Sequence, residues 1–201
     1  MSVHSLSVPS LHTPPTESLW GPIEHCETIA PGIYRVTTLS HGGYLLCDER
    51  LAQMPPALRH PEGHAFEEDC RWCLVVLAFP DLFSPETHIN AKDTCRNWFP
   101  DIWEAWTGIT LDPNQSYMKK QQHFYKQHEQ DWIVTAAWGD WHPRVPQGFV
   151  AGRAYYGGRR TPQGGRLGPT SRFFLTPQDE YAQQRPFVID LTRHREIPPL
   201  E

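Results

Sequence analysis

Strand-forming residues occupy both ends of this chain and helix-forming ones its middle, and that distribution narrows the possible architectures more than any single motif. From Ile23 to Cys47, β-branched and aromatic residues come in short runs broken by Pro31-Gly32 and by His41-Gly42-Gly43, as in successive strands joined by turns. The middle has a different period. Glu67-Glu68-Asp69 place acids where a helix's positive end would start, and the stretch that follows to Phe79 is apolar on every face, which predicts a central helix. Ser84-Pro85-Glu86 has the form of a cap with proline at the first helical position, opening a second helix that runs towards Trp98. Pro100-Asp101 restarts it with Ile102, Trp103 and Trp106 inward. From Asn114 to Gln130, Tyr117 and Phe124 share a stripe with Met118 and Tyr125, which predicts a third, amphipathic helix. Beyond Asp131, the runs Trp132 to Trp138, Phe149 to Tyr156 and Arg172 to Leu175 are strand-like, a helical turn is expected over Pro177 to Gln184, and a late strand over Pro186 to Leu191. Strands at both ends of a helical block predict an α+β fold, an antiparallel sheet covered on one face by about three helices.

The length of 201 residues suits one domain, read as residues 20–201, preceded by a flexible arm over 1–19 that carries three prolines and few large apolar side chains. The longest apolar run, Leu74 to Phe79, is far shorter than the roughly 20 residues a membrane span needs, so no membrane partner is expected. Met1 to Glu17 mixes Ser, Thr, Pro and His without a basic start and an apolar core, so a cytoplasmic location is expected. Five cysteines, an odd number, fit thiols better than a disulfide framework.

Charge is uneven along the chain. Between Glu62 and Glu104 acids outnumber Lys and Arg nine to three, whereas Trp141 to Gln178 holds six arginines and no acid. Arg144, Arg153, Arg159, Arg160, Arg166 and Arg172, beside Tyr155 and Tyr156, could track a nucleic-acid backbone and stack on bases, although the net charge of −5 is opposite to the usual footprint. The glycine-rich stretch Gly157 to Thr170 reads as a long loop able to close on a partner.

Two chemical constellations compete with a binding role. His60, His64, Cys70 and Cys73 have zinc-ligand chemistry, but only five residues join the two pairs and both cysteines fall on the expected core helix, where a thiol behaves as a small hydrophobe. No cofactor is therefore expected, with zinc as the alternative. His41 with Glu67, Glu68 and Asp69 could form a general base and its orienting carboxylates for a hydrolase or transferase, while the same residues also serve as turn and cap. The usual nucleophile-elbow, phosphate-loop, dinucleotide and His-Glu-x-x-His marks are absent.

Several separated motifs occur in a fixed order: Ala30-Pro31-Gly32-Ile33, Thr38-Leu39-Ser40-His41-Gly42-Gly43, Glu67-Glu68-Asp69-Cys70, Asn97 to Glu104, Ser116-Tyr117, Asp131-Trp132-Ile133-Val134 and Phe187-Val188-Ile189-Asp190. Across roughly residues 20–195 the chain resembles an uncharacterised domain family, a domain of unknown function encoded on bacterial plasmids and integrative elements. The resemblance implies only a genomic setting in mobile DNA, which also houses anti-CRISPR and anti-restriction proteins, and it supplies no catalytic residue that could be carried over. Tryptophan, tyrosine and arginine dominate interface hot spots. The expectation is therefore a non-enzymatic accessory protein of a mobile element that binds and inhibits a host defence complex. Trp138, Trp141, Arg153, Tyr155, Tyr156, Arg159, Arg160 and Arg166 are its expected contact residues. Trp72, Trp98, Trp103 and Trp132 are expected to fill the core.

Overall fold

The computed structural model describes residues 10–60, 63–158 and 171–200. The fold is α+β, as the strand–helix–strand order predicts, but among the described residues the strands divide among three antiparallel sheets, one of two strands and two of four. The chain forms two compact units, Met1–Lys120 and Gln121–Glu201.

The first unit opens with a small hairpin, β1 (Glu17–Ser18) and β2 (Gly21–Pro22). Its main sheet follows as β3 (His25–Ala30), β4 (Ile33–Thr37), β5 (Gly42–Leu46) and, after α1 (Asp48–Gln53), the short β6 (Ala65–Glu67), paired in chain order. Alternation along the strands sorts side chains to two faces. Ile33, Leu46 and Phe66 join the core made with α2 (Trp72–Ala78) and α3 (Pro85–Trp98), whereas Tyr34, Val36 and Leu45 pack under Trp20 and Ile23 on the opposite face. Residues preceding β1 take part, because the Tyr34 hydroxyl donates to the Ser10 carbonyl at 2.8 Å.

The central helix starts at Trp72, not at the acidic triplet. Glu67 ends β6, and its carboxylate accepts the backbone N–H groups of Asp69, Cys70 and Arg71, the last at 2.9 Å, so the acid orders the turn that leads into α2. Leu74, Val75, Val76 and Leu77 are buried around its whole circumference. α3 begins as its sequence predicts, with the Ser84 hydroxyl accepting from the Thr87 N–H at 3.1 Å. α4 (Pro100–Thr107) ends at Gly108, whose φ of 72° is the left-handed conformation glycine adopts without strain.

The third predicted helix is shorter than its amphipathic pattern: Pro113–Gln115 forms a separate 3-10 turn behind an Asp112/Gln115 capping box, and α5 spans Tyr117–Gln127. Before α5 leaves the first unit, Lys119 Nζ meets Glu104 Oε2 at 2.8 Å, and Glu104 Oε1 accepts the Leu111 N–H at 2.7 Å. Lys119 and that N–H hold the Glu104 carboxyl below its ordinary value, and the carboxylate raises Lys119 in turn. A lowered acid stabilises the fold above its unfolded pKa, about 4.3, and loses that contribution as pH falls through the lower folded value. The difference in melting temperature between the wild type and Glu104→Gln is thus expected to shrink on acidification through and below pH ~4, as a pH series of thermal melts would show. A gap that stays constant with pH would remove the ion pair from the stability of this unit.

In the second unit, β7 (Trp132–Trp138), β8 (Phe149–Tyr156), β9 (Arg172–Pro177) and β10 (Arg195–Ile197) form the sheet order β10-β9-β8-β7, with α6 (Gln178–Gln183) between the last two strands. The expected strand over Pro186 to Leu191 is reduced to one bridge, Ile133 with Val188, framed by Val134 N–H to Phe187 O and Ile189 N–H to Trp132 O. Phe187 and Ile189 still alternate into the core beside Val134, Ala154 and Phe174. Pairing stops there because Asp190 turns the chain, its carboxylate accepting from Thr192 and its N–H donating to His194 Nδ1.

Candidate functional site

Only one end of the helix-facing side of the first sheet is roofed. Ile33 and Leu46 lie beneath the helices, but two and four residues further along β4, Arg35 and Thr37 project from the same face with nothing packed flat over them. In register, Arg35 stands beside Glu27 of β3 and Tyr44 of β5. The result is a cavity of about 450 Å³. The sheet supplies its floor through Glu27, Ile29, Arg35, Thr37 and Tyr44, and Glu68, Trp72, Phe83 and Thr87 complete the lining. Tyr44 and Phe83 meet edge to face at 5.8 Å. Burial pushes the Tyr44 phenol above its ordinary pKa, Arg35 opposes the rise and Glu27 adds to it, so the ring presents a neutral hydroxyl at physiological pH.

The acidic triplet splits three ways. Glu68 lines this cavity, Glu67 is occupied by backbone N–H groups, and Asp69 is exposed. His41 sits on the turn between β4 and β5, where its N–H donates to Thr38 Oγ1 at 3.2 Å and its carbonyl accepts from the Thr38 hydroxyl at 2.9 Å. Its side chain is not part of the cavity lining. Gly42 and Gly43 belong to β5, not to the turn, and serve close approach: a Cβ on Gly42 would meet the Glu68 carboxylate, and one on Gly43 the backbone of β6. The fold therefore brings one of the four, Glu68, to a concave site.

His60, His64, Cys70 and Cys73 are also dispersed in role. The His60 ring packs edge-on to Phe66, and His64 places Nδ1 2.8 Å from the Leu46 carbonyl and Nε2 3.5 Å from Asp48. The Cys73 thiol is hydrogen-bonded to Cys95 and buried, both of which push its pKa up and keep it protonated. Burial likewise raises Cys70. Among the described residues no group of three or more His, Cys, Asp or Glu is positioned to hold a metal ion.

Alternation also divides the expected contact residues of the second unit. Trp138 and Arg153 share a face: the guanidinium lies 5.8 Å from the Trp138 ring, which stacks on Phe173. Tyr155 belongs to that face as well, and Tyr156, its neighbour, to the other. Tyr156 is 53% exposed and contacts the Trp132 ring, over which Arg172 stacks at 5.0 Å while pairing with Glu196. Trp132 is thus half-buried under a cation and not sealed in the core, and Trp98, 46% exposed against Tyr117, departs further from the core role. Trp141, on the turn after β7, is 73% exposed. Arg159, Arg160 and Arg166 lie outside the described residues.

The cavity side chains that sequence reasoning missed include Glu27, Arg35, Thr37, Tyr44, Phe83 and Thr87. Their signal is faint but present. In Ile33-Tyr34-Arg35-Val36-Thr37 the charged residue falls on the parity of Ile33, so a strand with one face fully covered would bury Arg35.

An α+β domain with a half-roofed sheet and an amphipathic cavity is the class of protein these observations define. The chain belongs to the family described as Domain of unknown function (DUF7007), which matches residues 13–129. That span contains the entire cavity and α5 and stops short of the second sheet, less far than the motif order suggests. No curated protein and no solved structure matches the chain. Among the described residues no helix is long and apolar enough to cross a membrane.

Proposed function

We propose that this chain is a non-enzymatic binding protein that docks on a protein partner through the aromatic side chains of its second unit. The observation that supports this reading best is Trp141, a large apolar ring 73% exposed on a short turn whose ends are tied by backbone hydrogen bonds from His142 to Gly139 and from Val145 to His142. A held, exposed tryptophan binds without a large ordering cost. The arginines favour protein over nucleic acid as the target. Arg172 is engaged by Glu196 and two rings, Arg153 by Trp138, and Arg144 by the Pro199 carbonyl, which leaves fewer of the described cations for phosphates. The hydrolase reading has less support, since Glu67 is committed to the backbone and His41 stands outside the cavity.

The finer reading takes the partner to be a host defence complex, a CRISPR effector or a restriction enzyme, and the setting in mobile DNA that the resemblance implies is its support. Expression of the chain in a host with an active restriction or CRISPR system is expected to raise plasmid establishment, and Trp141→Ala with Tyr156→Ala to abolish the rise. Against the purified target the double variant should bind about 30-fold or more weakly, the loss that hot-spot residues produce. Unaltered plasmid establishment across both defence classes would reject the inhibitor role, and unaltered affinity would exclude these two side chains as contacts.

A further inference from the structure

We propose that the cavity of the first unit binds a free α-amino acid as its zwitterion, with an aromatic or branched apolar side chain. The charges of the site are separated and not spent on one another. Glu27 and Arg35 are cross-strand neighbours in register, an arrangement that commonly yields an ion pair, yet no hydrogen bond or ion pair joins Arg35 to Glu27 or Glu68 among the described residues. One guanidinium and two carboxylates therefore face the same hollow, together with the Thr37 and Thr87 side chains.

Ligand classes can be weighed against that set. A simple anion would gain Arg35 but meet two carboxylates, and a simple cation would gain the carboxylates but meet Arg35 on the floor. A zwitterion satisfies both signs: its carboxylate presents two oxygens to the planar fork of Arg35, and its ammonium donates to Glu27 and Glu68. Tyr44, Trp72 and Phe83 then offer ring surface to an apolar side chain. A volume of about 450 Å³ lies within the range of small-molecule sites. Glu68 is held at the rim because its carboxylate rests over Gly42, the position where a side chain would displace it.

The test is calorimetric titration of the full chain with L-phenylalanine and L-leucine, and with three relatives of phenylalanine. Phenylalaninamide lacks the carboxylate, N-acetylphenylalanine lacks the ammonium, and phenylalanylglycine moves the two charges one peptide unit apart. Saturable binding of the free amino acids is expected, with each relative at least about tenfold weaker. Arg35→Gln should bind phenylalanine and its amide equally, and Glu27→Gln with Glu68→Gln should bind phenylalanine and its N-acetyl form equally. All three side chains are exposed, so circular dichroism and melting temperature should report intact folds for both variants. No heat from either amino acid at about 10 mM, or an amide or acetyl form that binds as tightly, would overturn the proposal. Tighter binding of the dipeptide would overturn it in favour of a peptide terminus. None of these outcomes bears on docking through Trp141.

Discussion

Phe66→Ala is expected to destabilise the first unit by about 3–5 kcal/mol, the loss typical of emptying a phenylalanine site in a packed core. Phe66 is fully buried, lies opposite Tyr44 in the β5–β6 register, and packs with Ile33, Leu46 and the α2 side chains. β6 has only three residues, and its single buried side chain is this ring. Without it the strand keeps its hydrogen bonds but loses the apolar contact that seats it, and Glu67 and Glu68 go with it. Urea unfolding of the wild type and Phe66→Ala would measure the cost, and Phe66→Leu should recover most of it because volume is largely kept. A loss below about 1 kcal/mol would mean that β6 is held by its ladder alone.

Gly43→Ala is expected to cost about 3 kcal/mol or more, while its neighbour Gly42→Ala costs about 1 kcal/mol. The two glycines look equivalent in the sequence and are not. At Gly43 a Cβ would run into the Phe66 carbonyl and come within 2.7 Å of the Trp20 ring, and its φ of 152° is one that side-chain-bearing residues rarely adopt. Backbone on one side and a packed indole on the other leave no room to yield. At Gly42 the nearest obstacle is the end of the Glu68 side chain, at 2.5 Å, which can swing into solvent, and the nearest backbone atom, the Val36 carbonyl oxygen, stands off at 3.0 Å and needs to give by only a few tenths of an ångström. Gly42→Ala should accordingly move Glu68 out of the cavity and weaken amino-acid binding while the fold persists. Chemical denaturation of both variants checks the contrast; equal costs would show that the β5–β6 approach is not tight.

Much of the architecture was readable from residue order alone. The strands from β3 to β5, the capped start of α3, the break at Pro100 and the three strands of the second sheet all follow from apolar periodicity, proline and capping chemistry, which act over a few residues. Where the readings diverged, a distant partner decided. Glu67 suits a helix's first turn, yet β5 recruits it into β6 and delays the helix to Trp72. The Pro186 to Leu191 segment has strand composition, yet the turn at Asp190 limits it to one bridge. Tyr155 and Tyr156 are adjacent and arginine-flanked, yet the pleat sends them to opposite faces, so no single surface holds both.

By itself, then, the sequence determined the fold class, the element order and the residue types available for recognition, because those depend on local backbone preference and on which side chains avoid water. Only the tertiary structure decided which of them meet. The cavity joins Glu27, Arg35, Tyr44, Glu68 and Phe83 from five separate segments, and Arg35 is a binding candidate only because the helices stop short of covering its end of the sheet. That shortfall is a property of how layers pack over long sequence separations, where one strand's parity and one helix's reach settle whether a charge is left facing a hollow.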